Sequence, residues 1–124
     1  MLIKTNSRFI GEADTRIIKG EKRKVELLND FAFIDKKGFE WFAPKGSIID
    51  GSSIPFWLWT ITGCSPFVGY HRLASIPHDV YCKTREVPHK NVHKMYFEAC
   101  LLNGMNKIKA TAFYNGLKIG APRW

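Results

Sequence analysis

Apolar and polar positions alternate most clearly over residues 24–50, where "KVELLNDFAFID" and "FEWFAPKGSIID" flank the short turn "KKG". Period-two alternation buries one face of a strand, and two such runs joined by a short glycine turn predict a β-hairpin. Residues 1–20 alternate more weakly and suit an edge strand or an irregular arm. "DGSS" at 50–53 then ends the strand region with turn chemistry.

Downstream the apolar spacing becomes helical. "PFWLWTITG" at 55–63 reads as a short helix opened by Pro55 and closed by Gly63. A second helix is expected from about Arg72 to Lys83, with Pro77 in its first turn or at a kink. Pro88 stands where a first helical residue should, and "HKNVHKMYFEACLL" carries Val92, Met95, Tyr96, Ala99 and Leu102 as a stripe up to a stop at Asn103-Gly104. A last helix from about Asn106 to Lys118 puts Ala110, Phe113, Tyr114 and Leu117 on one side before Gly120-Ala-Pro. The pattern predicts one α+β domain over residues 1–124: a hairpin or small antiparallel sheet in a β-rich part at 1–50, then a helical part at 54–120.

Composition agrees with a folded chain. Of 124 residues, 45% are apolar and 14% aromatic, which excludes the low hydrophobicity of disordered segments. Cys64, Cys82 and Cys100 form no CxxC and are odd in number, so neither a disulfide framework nor a zinc knuckle is expected. No apolar run suits a signal peptide or a membrane span, and the expected compartment is the cytoplasm. The net charge of +8 raises affinity for anions, but apart from "KGEKRK" at 19–24 the basic residues are scattered, and no nucleic-acid-binding motif accompanies them. A solvated surface accounts for the charge.

Four polar residues are placed oddly for a plain core: Asp50, His78, Asp79 and His93. Each alone has an ordinary reading. Asp50 before Gly51 is turn chemistry, and His89 with His93 in "HKNVH" reads as an exposed pair without the glutamate of HExxH. Together they make a hydrolytic kit. Asp50, the Gly51 carbonyl and Asp79 would offer oxygens to a hard cation such as Ca²⁺, while His78 takes a proton from water. Two imidazoles, His78 and His93, with the same carboxylates would instead suit Zn²⁺ or Mn²⁺.

The runs "APKGSIIDGSSIPFWLW", "HDVYC", "MYFEACLLNGM" and "ATAFYNGLKIGAP" resemble a family of small phage and prophage proteins known as domain of unknown function 1353, over about residues 25–121. More distantly the layout is similar to prokaryotic phospholipases A2: an aspartate loop, a His-Asp-x-x-Tyr helix, an antiparallel helix and a closing Tyr-x-x-x-Lys-x-x-Gly, here "YNGLKIG". That resemblance implies a phospholipase-like helical half, His78 as catalytic base, and Asp50, Gly51 and Asp79 as calcium ligands. It implies His93 as the partner of His78, where those enzymes carry an aspartate. Cys82 stands where they have the supporting tyrosine, with Tyr81 one residue earlier; Tyr81 and Trp57 are the expected substrate-facing aromatics. Implied partners are phospholipid or an anionic membrane surface, or, on a non-catalytic reading, a host protein, a signalling ligand or a virion component.

Overall fold

The computed structural model of the chain describes residues 7–20, 24–50, 57 and 72–124. Strands come first: β1 (Arg8–Ile10), β2 (Thr15–Ile17), β3 (Val25–Leu27), β4 (Phe31–Ile34), β5 (Glu40–Ala43) and β6 (Ile48–Ile49). Among the described residues, three helices with full bounds follow: α1 (Arg72–Thr84), α2 (His89–Leu102) and α3 (Lys107–Gly120). This is the expected α+β order. The short helix expected over 55–63 falls, except for Trp57, outside the described residues.

The predicted hairpin forms, but it is divided between two antiparallel sheets, ordered β1-β4-β5 and β2-β3-β6. Asp35 closes the β4–β5 turn, its Oδ1 accepting from the Lys37 and Phe39 amides. Beyond Ala43 the ladder breaks. Pro44 brings no N–H to the ladder, and Gly46 has φ of +91°, a conformation that favours glycine. The Gly46 amide then donates to the Leu27 carbonyl at 2.7 Å, and the Lys45 amide to Asp30 Oδ1 at 2.8 Å. The N-terminal arm bends at the same level, at Gly11, so that β1 pairs with β4 and β2 with β3. A Cβ on Gly11 would lie 2.4 Å from the Asp30 carbonyl oxygen, so the close approach requires glycine.

The helices are placed by side chains the sequence marks out. Asn106 caps α3, its side chain accepting from the Ile108 amide at 2.7 Å. The α1–α2 connection of four residues includes Arg85 at φ of +59°, and the helices pack as a hairpin. Val92, Met95, Tyr96 and Ala99 are buried as the stripe predicts, whereas Leu102, at the end of α2, is 40% exposed. The larger core cluster joins these residues to Phe33, Trp41, Ala110, Phe113 and Leu117. A second cluster seats Ile76 of α1 on Leu27, Phe31, Ala43 and Ile49 of both sheets. One helix therefore spans the bend and packs on both sheets. No helix among the described residues is long and apolar enough to cross a membrane.

Candidate functional site

Helix α1 continues through Pro77, which sits inside it rather than in its first turn. Pro77 has no N–H for the Leu73 carbonyl one turn back, a cost the packing of a buried helix must offset. The next two residues, His78 and Asp79, are both fully buried. Two adjacent ionisable side chains without solvent contact are unusual in so small a core. Each is met by a specific set of groups.

His78 faces α2. Its Nε2 lies 2.9 Å from Nδ1 of His93, and Nε2 of His93 lies 3.1 Å from the Pro122 carbonyl oxygen. A carbonyl only accepts, so His93 Nε2 carries the hydrogen and its Nδ1 the lone pair. His78 Nε2 then donates to that lone pair, which puts His78's own lone pair on Nδ1, 3.8 Å from Cys82 Sγ. This assignment follows from the hydrogen-bond network. Both rings hold protons poorly: burial, then the charge of His93, lowers the pKa of His78 well below the ordinary value. Burial lowers that of His93, with His89 and Arg123 acting in the same direction and the Pro122 contact opposing them. Tyr96 packs edge-on against His78 at 5.1 Å between ring centroids. His93 is thus no member of an exposed pair; it is buried, and of the two histidines in "HKNVH" His89 alone is partly accessible.

Asp79 faces the sheets. Its Oδ2 accepts from the Asp50 amide at 3.3 Å and pairs with Lys83 Nζ at 3.0 Å. The same ammonium lies 3.6 Å from Asp50 Oδ2 and donates to the Ile48 carbonyl at 2.8 Å. Asp79 Oδ1 is buried with no hydrogen-bond partner among the described residues. Burial raises the Asp79 pKa, partly offset by Lys83, with Asp50 adding to the rise.

The expected convergence of Asp50 and Asp79 is therefore present, with a cation between them that the chain supplies itself. Calcium takes six to eight oxygen ligands, and with Lys83 in this position the point shared by the two carboxylates is already filled. The side chains as placed do not fit a calcium ion. Gly51 lies outside the described residues. A different donor set exists in His78, Cys82 and His93, whose ligand atoms lie within 4.8 Å of one another. Two nitrogens and a sulfur suit zinc. A metal bound there would take up the His93 Nδ1 lone pair that now accepts from His78.

The two aromatic residues part company. Tyr81 is buried between α1 and the sheet, its hydroxyl accepting from the Phe42 amide at 3.0 Å and its ring edge-on to Trp41. Its position is that of a strut joining helix to sheet. Trp57 is 43% exposed. Lys83 and Pro122 are the contributors that sequence reasoning missed. Lys83, four residues after Asp79, was legible as a helical ion pair; nothing marks a carbonyl such as that of Pro122.

The sequence profile of a family described as "Protein of unknown function (DUF1353)" matches residues 25–117. Two uncharacterized proteins of Sinorhizobium fredii are similar to the chain. One, y4jT, is 36% identical over 99 residues, which are 80% of this chain and 29% of that protein. The other, y4iH, is 31% identical over 121 residues, 98% of this chain and 50% of that protein. The chain thus spans half or less of the length of these relatives. No solved structure matches it significantly. The matched segment holds β3 to β6, the His78–His93 contact and the Asp50–Lys83–Asp79 cluster, and the chain belongs to the DUF1353 family.

Proposed function

We propose that this chain is an ester hydrolase in which His78 is the general base and His93 its positioning partner, with phospholipid or a related carboxylic ester as substrate. The observation that carries this reading is the ordered chain from the Pro122 carbonyl through His93 to His78, which fixes one tautomer and turns the basic lone pair to Nδ1. In the proposed step, Nδ1 takes a proton from water as the water oxygen bonds to the ester carbonyl carbon. The ester C–O bond then breaks, and the proton passes from His78 to the leaving alkoxide, giving acid and alcohol. The pKa of His78 lies well below the ordinary value, so the imidazole is neutral at neutral pH, and burial makes it a weaker base than a solvated histidine. No step is routed through a metal.

A second reading, a non-catalytic accessory protein that binds a host or virion component, draws support from two observations. His78 is fully buried, and Lys83 already neutralises the carboxylates. One experiment separates the two. The purified chain is assayed on phospholipid vesicles and short-chain esters, with and without Ca²⁺, Zn²⁺ or Mn²⁺. The hydrolase reading expects metal-independent turnover that His78→Ala removes and His93→Asp increases, because a carboxylate stabilises the imidazolium better than a second imidazole does. Zinc should inhibit through the His78–Cys82–His93 set. Wild type and His93→Asp that are both inert in every condition leave only the binding reading.

A further inference from the structure

On the far side of His93 from His78's helix, α2, α3 and the C-terminal tail enclose an open cavity of about 490 Å³. Among the described residues its lining is His89, Lys90, His93, Tyr114, Lys118 and Arg123. Three are permanent cations, two are imidazoles and one is a phenol. None is a carboxylate. The volume is within the range of small-molecule sites, about 300–1,000 Å³.

These charges are held in place rather than scattered. The Arg123 guanidinium donates to the Lys118 and Ile119 carbonyls at 2.7 and 3.0 Å, in the last turn of α3. The Lys118 ammonium sits 4.2 Å from the centroid of the Tyr114 ring. Among the described residues, ion pairs join Arg16 to Glu26 and Lys83 to Asp50 and Asp79, and no carboxylate pairs with Lys90, Lys118 or Arg123. Soluble surfaces usually intersperse the two signs of charge. Here like charges converge from three segments on one concave space. The local potential is felt by His93, whose proton affinity is reduced by His89 and Arg123 as well as by burial.

We propose that this cavity binds a phosphate-bearing anion. A guanidinium fork, ammonium groups and a phenolic donor are the groups that recognise phosphate oxygens. The anion supplies negative charge that no lining side chain carries, beside the Trp124 main-chain oxygen 2.9 Å from His89 Nδ1. This inference does not rest on the hydrolytic reading, since none of Lys90, Lys118 and Arg123 has a part in the proposed step.

The test is calorimetric titration of the full chain with inorganic phosphate, with glycerol 3-phosphate and with phosphatidylglycerol vesicles. Saturable binding of the first two assigns a soluble phosphate ligand; binding of vesicles alone assigns a lipid headgroup. In either case Lys118→Gln combined with Arg123→Gln should weaken binding about tenfold or more. Lys90→Gln, an exposed change, should also weaken it without touching the helix end. Lys94→Gln, an exposed lysine of α2 outside the cavity, should leave it unchanged. Phosphate should move the His93 ring resonances in NMR spectra. The proposal is overturned if no probe binds saturably at millimolar concentration, or if Lys94→Gln weakens binding as much as the cavity variants do.

Discussion

His78 and His93 stand fifteen residues apart in sequence and meet at 2.9 Å, nitrogen to nitrogen, with a backbone carbonyl behind the second ring setting the direction of both hydrogens. Protonation of either ring is disfavoured, for different reasons. An imidazolium at His93 has no lone pair for His78, and one at His78 is buried without a counter-charge from its partner.

Stability should therefore depend on pH in a defined direction. Both histidines bind protons less readily when folded than their ordinary value of about 6.5 allows. Below that value the unfolded chain takes up protons that the folded chain refuses. Their contribution is complete above about pH 6.5 and is lost as the pH falls. Denaturant unfolding between about pH 8 and pH 5 should show a falling midpoint, and His78→Phe should flatten the dependence. NMR titration should find the rings of both His78 and His93 displaced downward.

Asp79 contributes with the opposite sign. Its folded pKa is raised, so the folded state gains relative stability as the pH falls through that pKa and loses it as the pH rises. Asp79→Asn should consequently raise the unfolding midpoint near neutral pH, because it removes a buried charge that burial penalises more than Lys83 compensates. On the hydrolase reading the same variant lowers turnover, since the Asp50–Lys83–Asp79 cluster anchors to β6 the helix that carries His78. A variant that gained stability and kept full activity would detach Asp79 from the site.

Lys83 occupies the position between Asp50 and Asp79, so Lys83→Gln should open it. Calcium binding, measured by calorimetry, should be weak in the wild type and tighten by roughly tenfold or more in the variant. Stability in calcium-free buffer should fall, as two carboxylates then face each other unscreened. Equal affinity in both proteins would show that the ammonium does not compete.

Tyr81→Phe tests a strut. Removing the hydroxyl leaves the Phe42 amide without its acceptor, at a cost of about 1 kcal/mol. The chemical-denaturation midpoint should drop accordingly. Turnover should be unchanged at temperatures where the variant is folded, because the ring faces Trp41 and the sheet.

Much of this architecture was legible in the chain. Pro88, Asn103-Gly104 and Asn106 bound the last two helices because their backbone chemistry is local, and local chemistry can be read residue by residue. The division of the hairpin was harder to foresee. Alternation lapses at Leu27-Leu28 and Asn29-Asp30, where β3 gives way to β4, but on the other run the break is made by contacts of Lys45 with Asp30 and of Gly46 with Leu27. The burial of His93 was hidden in the same way. Its neighbours Asn91 and Lys94 are polar and exposed, yet position 93 lies one residue from Val92 and one helical turn before Tyr96, both buried. The stripe is broader than its apolar members suggest, and a histidine takes its edge because α1 presents another histidine there. Asp50 and Asp79 could be paired from their residue types, whereas the ammonium between them depends on how a flexible lysine folds back along its own helix.

That last detail bears on the order in which the site assembles. Asp79 and Lys83 are four residues apart on α1, so their attraction is available as soon as this helix forms, with little chain entropy spent on closing the pair. Asp50 lies twenty-nine residues upstream of Asp79 and joins only when the second sheet docks. The carboxylate thus travels into the core with a chaperoning charge already attached, and the expensive moment of burying a bare anion is avoided. The tethered ammonium is the first cation the pocket meets, and any other arrives as its rival.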